Sequence, residues 1–114
     1  MVDRQAIQDV CDQIVSGFHP LKIVLFGSHA TGQPTADSDV DLLVIMPFEG
    51  SPARKAYEID LRLRHRFPLD VLVRTPEYLE QRRALNDFFI REIMETGQVL
   101  YDAAHAGVGS ESRS

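Results

Sequence analysis

Apolar residues follow two different spacings along the chain, and together these predict a small domain of helices and strands. From Asp3 to Phe18 they recur every three or four residues, which indicates an amphipathic helix that begins after Asp3 and ends near Pro20. Shorter apolar runs bounded by turn residues indicate buried strands. The elements predicted after the first helix are strand Leu21–Phe26, a short helical turn Ser28–Gly32, strand Leu42–Met46, helix Ala53–Phe67, strand Leu69–Val73, a helix opened by Pro76, an apolar helical patch Leu85–Thr96 and a short strand Val99–Tyr101.

The segment between the first two predicted strands carries the residues best suited to chemistry. Asp39 and Asp41 stand two positions apart at the entry to a strand, so their side chains point the same way. Two carboxylates this close repel each other unless a cation neutralises them. Mg²⁺ prefers such hard oxygen ligands and commonly takes substrate phosphates as further ligands. Gly27 and Ser28 form a turn whose backbone N–H groups attract an anion, which completes the pattern of a nucleotide site.

The residues Gly27-Ser28, ten intervening positions and then Asp39-Val40-Asp41 resemble the G-S-x₁₀-D-x-D signature of the polymerase β-like nucleotidyltransferase superfamily. The resemblance covers residues 21–73 and extends more loosely to residue 101. Members of this superfamily carry a third carboxylate on a later strand, and Asp70 occupies the matching place. An acid within an otherwise apolar strand is costly to bury without a partner, which independently favours a functional role for Asp70.

This resemblance implies the fold and the reaction. The fold would be α/β (α+β), with a small mixed β-sheet of three or four strands and helices mainly on one face. The reaction would be transfer of a nucleoside monophosphate from an NTP to a hydroxyl, with release of pyrophosphate and with two Mg²⁺ ions as cofactors.

The resemblance also implies a role for each site residue. Asp39 and Asp41 would bridge the two ions. Asp70 would complete the ion nearer the acceptor and would take the acceptor's proton as general base. Gly27 and Ser28 would hold the β and γ phosphates, with Ser38 as an additional donor.

In a chain of 114 residues the resemblance is closest to the minimal nucleotidyltransferases (MNT), the antitoxin half of HEPN/MNT toxin–antitoxin pairs. It implies an acceptor on another chain. The leading hypothesis is a protein adenylyltransferase that moves AMP from ATP onto a hydroxyl, expected to be a tyrosine, of a helical HEPN ribonuclease toxin. Two alternatives stay open: an antitoxin that neutralises its toxin by binding alone, and a nucleotidyltransferase that acts on a small molecule such as an aminoglycoside.

His29 departs from the superfamily pattern, because many members carry arginine at this position. Histidine is shorter than arginine, is mostly neutral at pH 7 and lacks the planar fork that holds a phosphate. We therefore expect weaker phosphate binding, and this feature favours the antitoxin that acts by binding alone. The three metal-binding acids are not affected by the departure.

Composition limits the remaining possibilities. The chain is expected to form one domain over residues 1–102, followed by a small polar tail, residues 103–114, that we expect to be disordered. Its formal net charge of −5 argues against nonspecific nucleic-acid binding, which relies on basic surface. No apolar stretch approaches the length of a membrane span and no signal region opens the chain, so we expect a cytoplasmic protein. Cys11 is the only cysteine, which excludes an intrachain disulfide.

Overall fold

A four-stranded mixed sheet organises the fold, in a computed structural model that describes residues 2–35 and 37–104. The elements in chain order are α1 (Arg4–Phe18), β1 (Lys22–Phe26), α2 (Ser28–Thr31), β2 (Val40–Ile45), α3 (Pro52–Leu61), β3 (Leu69–Arg74), α4 (Pro76–Ala84), α5 (Phe88–Thr96) and β4 (Gln98–Asp102). The strand order is β3-β2-β1-β4. β1 pairs antiparallel with β2 and with β4, whereas β2 and β3 run parallel. The predicted mixed sheet of the α/β class is confirmed.

Helices pack on both faces of this sheet, because successive buried side chains of a strand point in opposite directions. In β1, Ile23 and Leu25 pack with α1 and α3, while Val24 and Phe26 pack with α4 and α5. The expectation of helices mainly on one face is therefore corrected. β1 and β2 are apolar at consecutive positions, and a strand of that kind needs cover on both sides.

Local capping explains where the helices begin and end. The carboxylate of Asp3 accepts a hydrogen bond from the backbone N–H of Gln5 and so begins α1, as predicted. α3 ends at Leu61, six residues before the predicted end at Phe67. The chain must turn back there to enter β3, and the side chain of Gln13 holds this turn through the backbone N–H and C=O of Arg64.

The described part of the chain ends with an ordered contact to the sheet. The backbone N–H of Ala103 donates to the carbonyl oxygen of Leu21 at 2.9 Å, immediately after β4. The rest of the predicted disordered tail, residues 105–114, lies outside the described residues. None of the helices described here is long and apolar enough to cross a membrane.

Candidate active site

The turn between β1 and α2 brings Gly27 directly against Asp41. Phe26 is the Cα partner of Asp41 in the β1–β2 pair, so the residue after Phe26 must pass beside the carboxylate. Gly27 adopts φ +77°, and a Cβ atom at this position would overlap the Oδ2 atom of Asp41. Glycine is therefore required here for two reasons, the left-handed backbone and the close approach.

Asp41 and Asp70 lie side by side on the sheet. They are Cα partners in the parallel β2–β3 pair, so their side chains emerge on the same face. Alternation along the two strands puts them on the same face as Leu43 and Leu72, which are the residues that pack with α4 and α5. Asp39 lies one residue before β2 and is exposed, as is Asp70, whereas Asp41 is partly buried.

The charges of these three acids act on one another. Burial raises the pKa of Asp41 because it disfavours the charged form, and repulsion from Asp70 and then from Asp39 raises it further. The nearby His29 opposes this shift. Asp41 is therefore the carboxylate that is coupled to both of the other predicted metal ligands.

The donor set suits a hard divalent cation in its chemistry. A cation placed among these carboxylates would relieve the repulsion that raises the pKa of Asp41. Within residues 2–35 and 37–104, however, no three acidic, histidine or cysteine side chains are gathered closely enough to coordinate a metal ion. Asp41 and Asp70 are thus neighbours at the start of β2 and β3, Asp39 comes just before β2, and the three acids are not drawn together around a single point.

A cleft of about 450 Å³ opens beside Asp41. The β1–α2 segment and β2 form one wall, which consists of Phe26, Gly27, Ser28, Thr31 and Asp41. The facing wall belongs to α5 and consists of Phe89, Glu92, Ile93 and Thr96. The cleft has the size of a small-molecule site. Two of the three predicted phosphate-binding residues therefore share a cavity with the central carboxylate.

Ser38 and His29 do not line this cleft. The Oγ atom of Ser38 accepts a hydrogen bond from the backbone N–H of Thr35 at 2.8 Å, which closes the loop before β2. The Nε2 atom of His29 is 3.4 Å from the carbonyl oxygen of Ser38. Both residues line a second cleft of about 330 Å³ together with Arg66. The structure thus separates Ser38 from Gly27 and Ser28, with which it was grouped on sequence.

Comparison with known proteins identifies the class of this site. The nucleotidyltransferase domain family matches residues 4–100 of the chain. The chain belongs to that family. A Methanocaldococcus jannaschii protein that carries the provisional name protein adenylyltransferase is 30% identical over 107 residues, which cover 89% of this chain and 100% of that protein. The crystal structure of a provisionally assigned nucleotidyltransferase from Sulfolobus solfataricus has the same fold, with a TM-score of 0.62 and 18% identity over 88% of this chain and 80% of that one.

Family membership confirms the predicted enzyme class. The protein is a nucleotidyltransferase, and this class uses an NTP substrate and usually a divalent metal. The cleft between the Gly27 turn and α5 is accordingly the candidate active site of this nucleotidyltransferase.

Contacts from both ends of the described chain hold the α2 wall of the nucleotidyltransferase cleft. The side-chain amide of Gln98, the first residue of β4, donates to the carbonyl oxygen of Ala30 at 2.6 Å. The amide oxygen of Gln98 accepts a hydrogen bond from Arg4 of α1. α2 has only one turn of its own, so these contacts help to keep it in place beside β1.

Sequence reasoning missed the α5 wall of the nucleotidyltransferase. The patch was predicted only as an apolar helical surface, and its polar members were given no role. The signal was nevertheless present, because Phe89, Glu92, Ile93 and Thr96 follow the three- and four-residue spacing of one helix face. A glutamate and a threonine on an otherwise apolar face indicate that this face meets something other than the core.

Proposed function

We propose that this nucleotidyltransferase is a Mg²⁺-dependent protein adenylyltransferase that transfers AMP from ATP to a hydroxyl of a HEPN ribonuclease toxin. The acceptor is expected to be a tyrosine, and the enzyme acts as the toxin's antitoxin within a hetero-oligomer. One observation carries the catalytic part: Asp41 lies in an open cleft against the Gly27-Ser28 turn, with Asp70 as its strand partner. The name of the M. jannaschii relative supports AMP as the group and protein as the acceptor. The toxin partner rests on the MNT resemblance.

The proposed reaction is an in-line displacement at the α phosphorus of ATP. The acceptor oxygen forms a bond to that phosphorus, the bond to the β-phosphate oxygen breaks, and pyrophosphate leaves. Asp70 takes the proton of the acceptor hydroxyl. Gly27 and Ser28 hold the β and γ phosphates. When bound, Mg²⁺ supplies positive charge to the triphosphate and to the leaving pyrophosphate, and Asp39, Asp41 and Asp70 are the residues that would hold it.

The position of Asp70 suits an acceptor that belongs to another protein. β3 is an edge strand of the sheet, and Asp70 is exposed on it. A general base must come within hydrogen-bond distance of the hydroxyl that it deprotonates. A tyrosine of a partner chain can approach an exposed carboxylate on a sheet edge, whereas it could not reach one beneath a helix.

The test is label transfer. The protein would be incubated with α-labelled ATP, Mg²⁺ and the HEPN protein encoded beside it, and the label should appear on the HEPN protein at a tyrosine located by mass spectrometry. Asp41→Asn and Asp70→Asn should abolish the label. Asp37 is an exposed acid of the same loop as Asp39. Asp37→Asn is therefore the matched control and should leave the label transfer unchanged. A wild-type enzyme that transfers no label would refute the proposal.

A second candidate function is neutralisation by binding alone. It is favoured by His29, whose ring is near the Ser38 carbonyl and does not line the cleft as a phosphate-binding arginine would. A growth assay in cells that express the toxin distinguishes the two functions. Growth restored by the Asp41→Asn, Asp70→Asn double variant as fully as by the wild type would establish binding, whereas loss of rescue at equal protein abundance would establish catalysis.

A further inference from the structure

We infer that α5 binds the nucleoside half of the substrate, with the ring of Phe89 stacked on the base and the carboxylate of Glu92 accepting a hydrogen bond from the nucleoside. The inference rests on the proposed function, in which the cleft holds ATP. It assigns a role to the wall that faces Gly27 and Ser28 across the cleft.

Phe89 has the properties of a stacking platform. Its ring meets that of Phe26 edge to face, with centroids 5.9 Å apart and an interplanar angle of 87°. The side chain is nevertheless 50% exposed, and it lines the cleft. Phe26 therefore fixes the orientation of the Phe89 ring while much of its surface stays available to a flat ligand.

The backbone beneath Phe89 is also held in place. The Asp87 carboxylate caps α5 by accepting hydrogen bonds from the N–H groups of Phe89 at 2.9 Å and Ile90 at 3.2 Å. Arg82 of α4 pairs with the same carboxylate at 2.7 Å. A ring on a fixed helix start loses little conformational entropy when a base stacks on it.

The carboxylate of Glu92 indicates which half of the substrate faces α5. It lies three residues after Phe89 on the face that lines the cleft. A carboxylate beside a triphosphate would repel it, so the phosphates belong on the side of Gly27 and Ser28, away from Glu92. A nucleoside offers neutral donors, namely the ribose hydroxyls and the amino group of a base such as adenine, and an ionised carboxylate only accepts.

The same helix supplies a matched control for each residue. Phe88 is 74% exposed and Glu95 is exposed one turn from Glu92, and neither lines the cleft. Each pair thus compares the same side chain on the same helix, one that lines the cleft and one that does not.

The experiment measures the Kd of ATP in Mg²⁺ for the full chain without acceptor protein, by isothermal titration calorimetry. Phe89→Ala should weaken binding roughly tenfold, because base stacking is lost, while Phe88→Ala should leave the Kd unchanged. Glu92→Gln should weaken binding several-fold and Glu95→Gln should not. Unchanged melting temperatures for the four variants would confirm that each is folded.

Two further ligands identify the donor that Glu92 binds. If it binds the ribose, 2′-deoxy-ATP should bind the wild type more weakly than ATP does, and Glu92→Gln should remove this difference. If it binds the base amino group, GTP should bind the wild type more weakly than ATP, and again the variant should not discriminate. Either result supports the inference.

Three results would overturn the inference. If Phe89→Ala bound ATP with the same Kd as Phe88→Ala, stacking of the base on Phe89 would be excluded. Tighter ATP binding by Glu92→Gln than by the wild type would show that the carboxylate faces the phosphates. Glu92→Gln with the wild-type Kd for all three nucleotides would leave Glu92 no role in binding. A different result would refute the proposed function: ATP binds, but no label is transferred to the HEPN protein.

Discussion

In the proposed function, the placement of Asp41 serves chemistry at the expense of stability. Burial and the repulsion from Asp70 and Asp39 raise its pKa, so the folded state disfavours the charge that the reaction requires. Its Cα partner in β1 is Phe26, and Gly27 lies directly against it, so the carboxylate has no room to move toward β1. Such conflicts between local stability and function are typical of active sites.

Replacing Asp41 with asparagine should therefore stabilise the fold while it abolishes nucleotidyl transfer. A raised pKa means that the folded state binds more protons than the unfolded state, so Asp41 lowers stability as pH rises above about 4. We expect Asp41→Asn to melt a few degrees above the wild type at pH 7, with the difference shrinking as pH falls. Thermal melts of both proteins between about pH 4 and pH 7 measure this difference in melting temperature. A variant less stable than the wild type at neutral pH would contradict the stated cause of the pKa shift.

Gly27→Ala should cost both stability and nucleotide binding. The new Cβ would overlap the Asp41 carboxylate and would force an L-residue to keep φ +77°, so we expect a loss of about 2–3 kcal/mol in the free energy of unfolding. Gly32→Ala is the control, because φ is +80° there and no atom lies within 4 Å of the added Cβ. Urea denaturation should show a larger loss for Gly27→Ala, and equal losses would mean that backbone strain alone matters.

At the scale of elements, the position of α5 determines the width of the cleft. α5 ends at Thr96 and is capped by Gly97, where a Cβ would meet the carbonyl oxygen of Ile93 and the side chain of Val24. The carbonyl oxygen of Leu25 would lie 3.1 Å from the same Cβ. The helix end is therefore packed directly on β1, with no space for a side chain between them.

Gly97→Ala should push α5 away from β1 and weaken ATP binding. We expect it to lower the free energy of unfolding by about 1–3 kcal/mol, which is typical of overpacking. Gly17→Ala in α1 is the control, because its Cβ would meet nothing within 4 Å and alanine favours a helix. Calorimetric ATP titrations and urea melts compare the two. An unchanged Kd for Gly97→Ala would show that the cleft does not depend on this packing.

The elements also show what the sequence could reveal. The strand–turn–strand segment around Gly27 was predictable because its chemistry is local, and the acid in β3 was predictable because it interrupts an apolar run. The pairing of Asp41 with Asp70 depends on the register across the α3 connection, which residue spacing does not encode. The uninterrupted apolar run in β2 indicates cover on both faces, whereas the superfamily resemblance implies helices mainly on one face. The early end of α3 depends on Gln13, a partner distant in sequence.

For the molecule as a whole, a divalent cation should act as a stabilising ligand. The protein carries a net charge of −5, and the carboxylates of Asp39 and Asp70 both repel that of Asp41. A ligand that binds only the folded state raises the melting temperature according to its concentration relative to Kd.

Mg²⁺ at millimolar concentration should therefore raise the melting temperature of the wild type above its value in NaCl of equal ionic strength. The gain should be smaller for Asp70→Asn and smallest for Asp41→Asn, which removes the carboxylate coupled to both others. Differential scanning fluorimetry measures this rise in melting temperature. Asp37→Asn is the control and should show the same rise as the wild type. An equal gain in all variants would place the cation elsewhere on the surface.

Because β2 and β3 pair directly, the position of Asp41 relative to Asp70 does not depend on how long the chain between the two strands is. Hydrogen bonds between the two strands, and not the connection over residues 46–68, keep Asp41 beside Asp70. The exposed turn at residues 49–51 is consequently a place where a segment can be inserted without moving this pair, whereas α3 covers the sheet through the buried Ile59 and has to stay. An insertion at this turn could bring in a new acceptor-binding surface while the proposed reaction centre is kept.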